Sequence, residues 1–177
     1  ALEEKIDQAN QQTEVLQNEL DNLDAEIAQK HIYDGKKANR IAILAEKANS
    51  SAKFSQDRFN ALMELGREYE TFISDSALYC FDMAEKVACE LKDSTMISRA
   101  KIGRIKVLAI LGYFRESAVE LEDVESCGIS DEIMNEWVDA GRQMYAYMVT
   151  YALDNKELYD RYLAKQNFYR DMQIGIL

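Results

Sequence analysis

Apolar residues recur at helical spacing along nearly the whole chain, but the pattern changes character near residue 50. From residue 2 to residue 27 they step by four and three through Leu2, Ile6, Ala9, Thr13, Leu16, Leu20, Leu23 and Ile27, the a/d seam of a coiled coil. At about 1.5 Å per residue this segment extends roughly 40 Å, too far to rest on its own folded domain without help. The seam lapses at Lys30, Asp34 and Lys37, with Gly35 among them, and resumes at Ile41 and Leu44. The expected organisation is a coiled-coil helix over 1–30, a connecting helix that is hinged or solvated near Gly35 over 31–50, and helical repeats over 51–177. Leu2, Ile6, Leu16, Leu20, Leu23 and Ile27 are the expected dimerisation residues. Two other readings stand beside that one. The segment packs back against the helical domain or against a neighbouring molecule in a crystal, or its first eight residues, a generic Glu/Lys-rich helix, are foreign to the native gene.

Beyond the polar break Asn49-Ser50-Ser51 the pattern predicts paired helices. Leu65-Gly66-x-x-Tyr69, followed by Ala77, Phe81 and Ala84, alternates small and large residues as two antiparallel helices require to pack as a tetratricopeptide-type hairpin. The first helix is expected over 52–70 and the second over 75–91, capped by Ser74 or Asp75. A second hairpin follows Asp93-Ser94-Thr95. Its first helix, with Ile97, Ala100, Ile102, Ile105, Leu108, Ile110 and Leu111, is apolar around most of its circumference and so expected to be buried on several sides. Gly112 is placed to close it in the left-handed conformation. The third hairpin opens at Ser130-Asp131-Glu132 and carries Trp137-x-x-Ala140-Gly141-x-x-Met144, and Asp154-Asn155 precedes a last helix over 156–173. Gly66, Ile105 and Gly141 align at separations of 39 and 36 residues, close to the period of such repeats. The fold class is therefore all-α: tetratricopeptide-like hairpins in a short solenoid behind a long N-terminal helix.

Composition agrees, since the 177 residues include no Pro and seven Gly. A net charge of −11 argues against nucleic acid as the partner of this region, because phosphate binding needs clustered Lys and Arg. No apolar run approaches the length of a membrane span, so membrane contact is expected only through a segment outside this sequence. With His31 as the one histidine, a His-based triad or multi-histidine metal site is excluded. No cofactor, metal or catalytic residue is expected. Cys80, Cys89 and Cys127 match no zinc or redox spacing and are read as buried small apolar residues.

In such stacks, repeat positions two, five, nine and twelve of each first helix face an inner groove. Here they supply Asn60, Arg99 and Asn135; Met63, Ile102 and Val138; Arg67, Lys106 and Arg142; and Glu70, Ala109 and Tyr145. Asn60, Arg67, Arg99, Lys106, Asn135, Arg142 and Tyr145 are the expected groove residues, a stripe of cations and amides over an apolar row suited to an acidic extended peptide. The competing reading pairs these cations with neighbouring acids of the same chain. Tyr147, Tyr151, Tyr159, Tyr162 and Tyr169 are expected either as core between the last two helices or as a stacking face.

Tyr33-x3-Lys37-x2-Arg40-Ile41-x2-Leu44, Arg58-Phe59, Leu62, Glu68-Tyr69-x-x-Phe72, Asp75-Ser76-Ala77, Ala100-Lys101-Ile102 and Gly112-Tyr113-Phe114-x-Glu116 resemble a family of bacterial membrane-bound transcription regulators. The resemblance covers about residues 20–124; Ser117 stands where Ala is usual in that family, and the first nineteen residues have no counterpart. It implies a periplasmic helical-repeat region, with a single membrane span, a coiled coil and a helix-turn-helix output domain elsewhere. The leading expectation is a non-enzymatic protein- or peptide-interaction module, the sensory or scaffold region of such a regulator. The alternative is a cytoplasmic adaptor of co-chaperone type, dimerised by its N-terminal coiled coil. Its carboxylate clamp needs polar residues where this chain has Met63, Ile102 and Val138.

Overall fold

The computed structural model describes the backbone from residue 2 to residue 176 and the side chains from residue 11 to residue 175. The chain divides into two compact units, one ending at Ala42 and the other beginning at Ile43. Helix α1 (Leu2–Ser50) runs through the boundary and stays helical across Gly35, which is exposed. In the first unit Leu16, Leu20, Leu23 and Ile27 are all exposed, while the side chains of Leu2 and Ile6 lie outside the described residues. Where the seam lapses, Lys30 and Asp34 form an ion pair one turn apart. The helix closes as the Ser51 hydroxyl and amide both donate to the Lys47 carbonyl.

In the second unit six further helices follow: α2 (Gln56–Tyr69), α3 (Ser74–Leu91), α4 (Ser94–Ile110), α5 (Phe114–Ser126), α6 (Asp131–Tyr151) and α7 (Lys156–Ile176). Local chemistry sets their ends. Helix α2 starts four residues later than the apolar pattern predicts, because Ser55 takes the cap and accepts from the Arg58 amide at 3.2 Å. Ile73 occupies the cap position of α3 without a side-chain bond, so neither Ser74 nor Asp75 caps it; both are drawn into the helix because the Tyr69 carbonyl already holds the Phe72 and Ile73 amides in a tight turn. Asp93 caps α4 through the Met96 amide at 2.9 Å. Gly112, at φ +81°, closes that helix in the left-handed region where a Cβ is unfavourable.

Sequential helices pack as antiparallel pairs, and α2 touches α4 while α4 touches α6. Among the described residues α2 does not pack on α6 or α7, nor α3 on α5, so the elements stack in sequence instead of closing into a bundle. The first helices α2, α4 and α6 form a packed layer, whereas α3, α5 and α7 make no contacts with one another among the described residues. Helix α4 meets α2, α3, α5 and α6, which explains its apolar circumference. Its Met96, Ala100 and Val107 join the first core cluster with Phe59, Leu62 and Phe81, and its Ile102, Ile105 and Ala109 join the second with Trp137, Val138 and Met144.

One ring joins the first two hairpins. Phe81 of α3 is fully buried between Gly66 of α2 and Gly103 of α4, and a Cβ at either glycine would lie 2.6 Å from its Cε1. Gly66 was legible as a signature glycine, whereas Gly103, two residues before the aligned Ile105, was not. In the third hairpin Tyr169 fills the same kind of notch against Gly141 and meets Trp137 edge-on, with ring centres 5.2 Å apart. Tyr147 and Tyr151 are exposed, so the tyrosine-rich end is core only at Tyr169 and partly at Tyr145, Tyr159 and Tyr162. Of the cysteines only Cys80 is buried, with its thiol pushed up to about 11 by burial; Cys89 and Cys127 are exposed, because they fall on the outer faces of α3 and the α5 terminus.

Candidate partner-binding groove

The layer α2-α4-α6 positions the residues expected to line the groove. Arg67 comes from α2, Arg99 and Lys106 from α4, and Arg142 from α6, but each meets an acid supplied by α6. Arg99 binds Glu136 through Nε at 2.9 Å and Glu132 at 3.0 Å. Lys106 reaches Asp139 at 2.7 Å, and Arg142 binds the other oxygen of that carboxylate at 2.8 Å. Arg67 stretches past α4 to Glu136 at 3.9 Å, a pair spanning the first and third hairpins. Glu132, Glu136 and Asp139 recur at helical spacing along one face of α6, and they are the acids of the same chain that the competing reading called for without naming.

Beneath these pairs is a cleft of about 150 Å³, lined by Met63, Arg67, Glu70, Arg99, Ile102 and Lys106 among others. Met63, Ile102 and Val138 are buried, so the apolar row is core under the charged layer and not an open floor. The cleft gathers Arg67, Arg99 and Lys106. Asn60 and Asn135 are exposed and do not line it, and Arg142 joins only through Asp139. Tyr145 turns away from it: its ring stacks on Tyr169 at 5.8 Å and tilts against Tyr162, inside the seam between α6 and α7, where burial pushes its phenol upward.

The electrostatics are those of a nearly closed ledger of charges. Burial acts to raise the Asp139 carboxyl, yet hydrogen bonds from Lys106 and Arg142 outweigh it and hold the group below the usual carboxylate range. Glu70 is the reverse case: burial in the cleft pushes its carboxyl up, and the charges of Lys106 and Arg67 offset this only in part. The weakest link is Arg67, with a side chain 55% exposed and a long contact to Glu136.

Behind α4, a second network ties the hairpins together. Arg104, 13% exposed, holds Asp82 at 2.7 Å and Glu120 at 2.8 Å, and also bonds Glu85; Lys101 pairs with Asp123. Sequence reasoning missed Arg104, since its partners lie 16 to 22 residues away on two other helices. Among the described residues, no group of three or more His, Cys, Asp or Glu side chains is gathered as metal ligands.

A stack of antiparallel helix pairs, with notch glycines receiving aromatic rings and with first helices lining one face, matches a known family. The model described as the SusR N-terminal TPR domain matches residues 27–177. The chain belongs to that family. The match takes in the second half of α1 and all three hairpins of this SusR-type TPR domain, and agrees with the resemblance to the helical-repeat region of membrane-bound regulators. No curated protein and no solved structure matched the chain. TPR-type stacks are interaction modules, and the SusR-type domain is one of them. No helix among its described residues is long and apolar enough to cross a membrane.

Proposed function

We propose that this SusR-type TPR domain is the periplasmic sensory or scaffold region of a membrane-anchored transcription regulator, without catalytic activity, and that it takes an acidic protein or peptide segment along the α2-α4-α6 face. The observation that supports this reading is the Arg67–Glu136 pair, which bridges the first and third hairpins over a cleft lined by three cations. A partner carboxylate replaces Glu136 on Arg67 and then on Arg99, so α6 loses its ion pair to α2 and one of its ion pairs to α4, while Arg99–Glu132 and Lys106–Asp139 hold. Binding then shifts the population from a tied to a loosened stack, and that difference is what an output domain reads. Leu16, Leu20, Leu23 and Ile27, exposed along one face of α1, are the seam of a homodimer that carries the change. With Met63, Ile102 and Val138 buried, nothing in the groove favours the clamp of a co-chaperone adaptor.

Two experiments test the reading. Arg67→Glu weakens binding of an immobilised Glu-rich peptide at least tenfold while moving the thermal midpoint by no more than about 3 °C, as befits an exposed pair. A large fall in midpoint with unchanged binding would make Arg67 an internal strut. Alkaline phosphatase, which needs the disulfides of an oxidising compartment, is active when fused after Leu177 in the full-length gene product. An inactive fusion contradicts the periplasmic placement.

A further inference from the structure

Among the described residues, Lys53, Arg58 and Lys86, like Lys36, Lys47, Lys92, Arg115, Arg161 and Lys165, enter no ion pair, and the first three share one cleft away from the inner face. Lys53 rests over the Phe54 ring with Nζ 5.0 Å from its centre. Arg58 Nη1 donates to the Ala48 carbonyl at 2.8 Å, leaving its other N–H groups without a protein acceptor. The three cations line a cleft of about 290 Å³ between the segment before α2 and helix α3, with Phe54, Met83 and Val87 as its apolar wall and Glu90 as its one acid. Arg58 and Met83 also line a second cleft, of about 240 Å³, whose wall includes Leu62, Leu65 and Cys80 and contains no acid at all.

The geometry points to one composite site in these adjoining clefts for a small amphipathic anion, a molecule with a carboxylate head and an apolar body. The Lys53 and Lys86 ammonium groups and the partly buried Arg58 guanidinium repel one another, and a carboxylate between them relieves that repulsion while supplying the acceptor that Arg58 lacks. The apolar body is removed from water along the half-buried Met83 and the exposed Phe54 ring, over the buried Leu62, Leu65 and Val87. The two clefts together have the size and mixed lining usual for small-ligand sites, which place a few convergent polar groups in a largely apolar wall. The site is built on the end of α1, the side of α2 facing it and α3, and it shares no lining residue with the inner-face cleft, so it is independent of that reading.

Titration of the ¹⁵N-labelled chain with decanoate, with decanol as the uncharged analogue and 4-phenylbutyrate as an aryl carboxylate, tests the assignment. At least one of the two carboxylates shifts the amides of residues 53–58 and 83–90 at submillimolar concentration, decanol binds at least tenfold more weakly than decanoate, and Lys53→Gln with Lys86→Gln weakens carboxylate binding at least tenfold at an unchanged thermal midpoint. Arg58 is left intact because it also closes α1. Decanol binding as tightly as decanoate, shifts confined to the seam of α1, or no response to either carboxylate would overturn the proposal.

Discussion

Inserting a methyl group beside Phe81 tests how the repeats are joined. Gly103→Ala places a Cβ 2.6 Å from Cε1 and 2.7 Å from Cδ1 of a ring that is fully buried, and Gly66→Ala does the same from the other side. An overfilled core site costs about 1–3 kcal/mol, whereas replacing a mid-helix glycine by alanine returns about 1 kcal/mol of helix propensity. The clash is expected to win because both glycines press on the same fully buried ring, which moves only by turning toward the small cleft that it lines with Gly103. Each single variant is therefore expected to lose up to about 2 kcal/mol, or up to roughly 7 °C in midpoint for a unit of this size. Phe81→Leu costs about 1–2 kcal/mol alone by leaving a cavity. Combined with Gly103→Ala it costs less than the sum, since the smaller side chain makes room for the methyl. Urea unfolding followed by circular dichroism gives all four corners of the cycle. A stabilised Gly103→Ala, or strict additivity with Phe81→Leu, would refute the wedge.

Other expectations follow from the charged networks and from α1. Arg104→Met leaves Asp82, Glu85 and Glu120 clustered around a lost cation and costs about 2–3 kcal/mol by urea unfolding; adding Glu85→Gln and Glu120→Gln recovers most of it. Glu70→Gln stabilises the fold at neutral pH and not below the ordinary carboxylate range. The folded-state pKa of Glu70 is raised, so wild-type stability falls as pH rises through the interval between its unfolded and folded values, and the amide removes that loss. Asp139 has the opposite sign: its lowered pKa gives stability present above the unfolded value and lost as pH falls toward the folded one, a component that Asp139→Asn abolishes in midpoint scans. Light scattering of the chain with and without residues 1–30 gives a dimer and a monomer respectively; an unchanged mass eliminates pairing through Leu16, Leu20, Leu23 and Ile27.

Periodicity made the helices and their order legible, because burying one face of each rod imposes the 3.6-residue repeat wherever packing decides the sequence. Asp93 and Gly112 announced their turns for the same local reason: each satisfies a helix end through its own side chain or backbone. Ile73 did not, since its turn is held by amides on the Tyr69 carbonyl and leaves no residue-type signal. The stripe of cations was legible, and so was the reading that pairs it with acids of the same chain, but not which acid each cation meets. Which acid meets Arg99 or Lys106 depends on how far α6 is rotated against α4, a tertiary quantity that spacing within one helix does not encode. Arg104 was illegible on the same ground, and Gly103 because its partner ring belongs to the preceding hairpin.

The most direct test of the account is the side-chain Nε–Hε spectrum of Arg67, Arg99 and Arg142 while a Glu-rich peptide is added. Arg67 and Arg99 are predicted to shift together and saturably, with the amides flanking Glu136 moving in step as that carboxylate is displaced. A peptide that binds while these resonances stay fixed, with its footprint outside α2, α4 and α6, would contradict the claim that the inner face is where a partner is read.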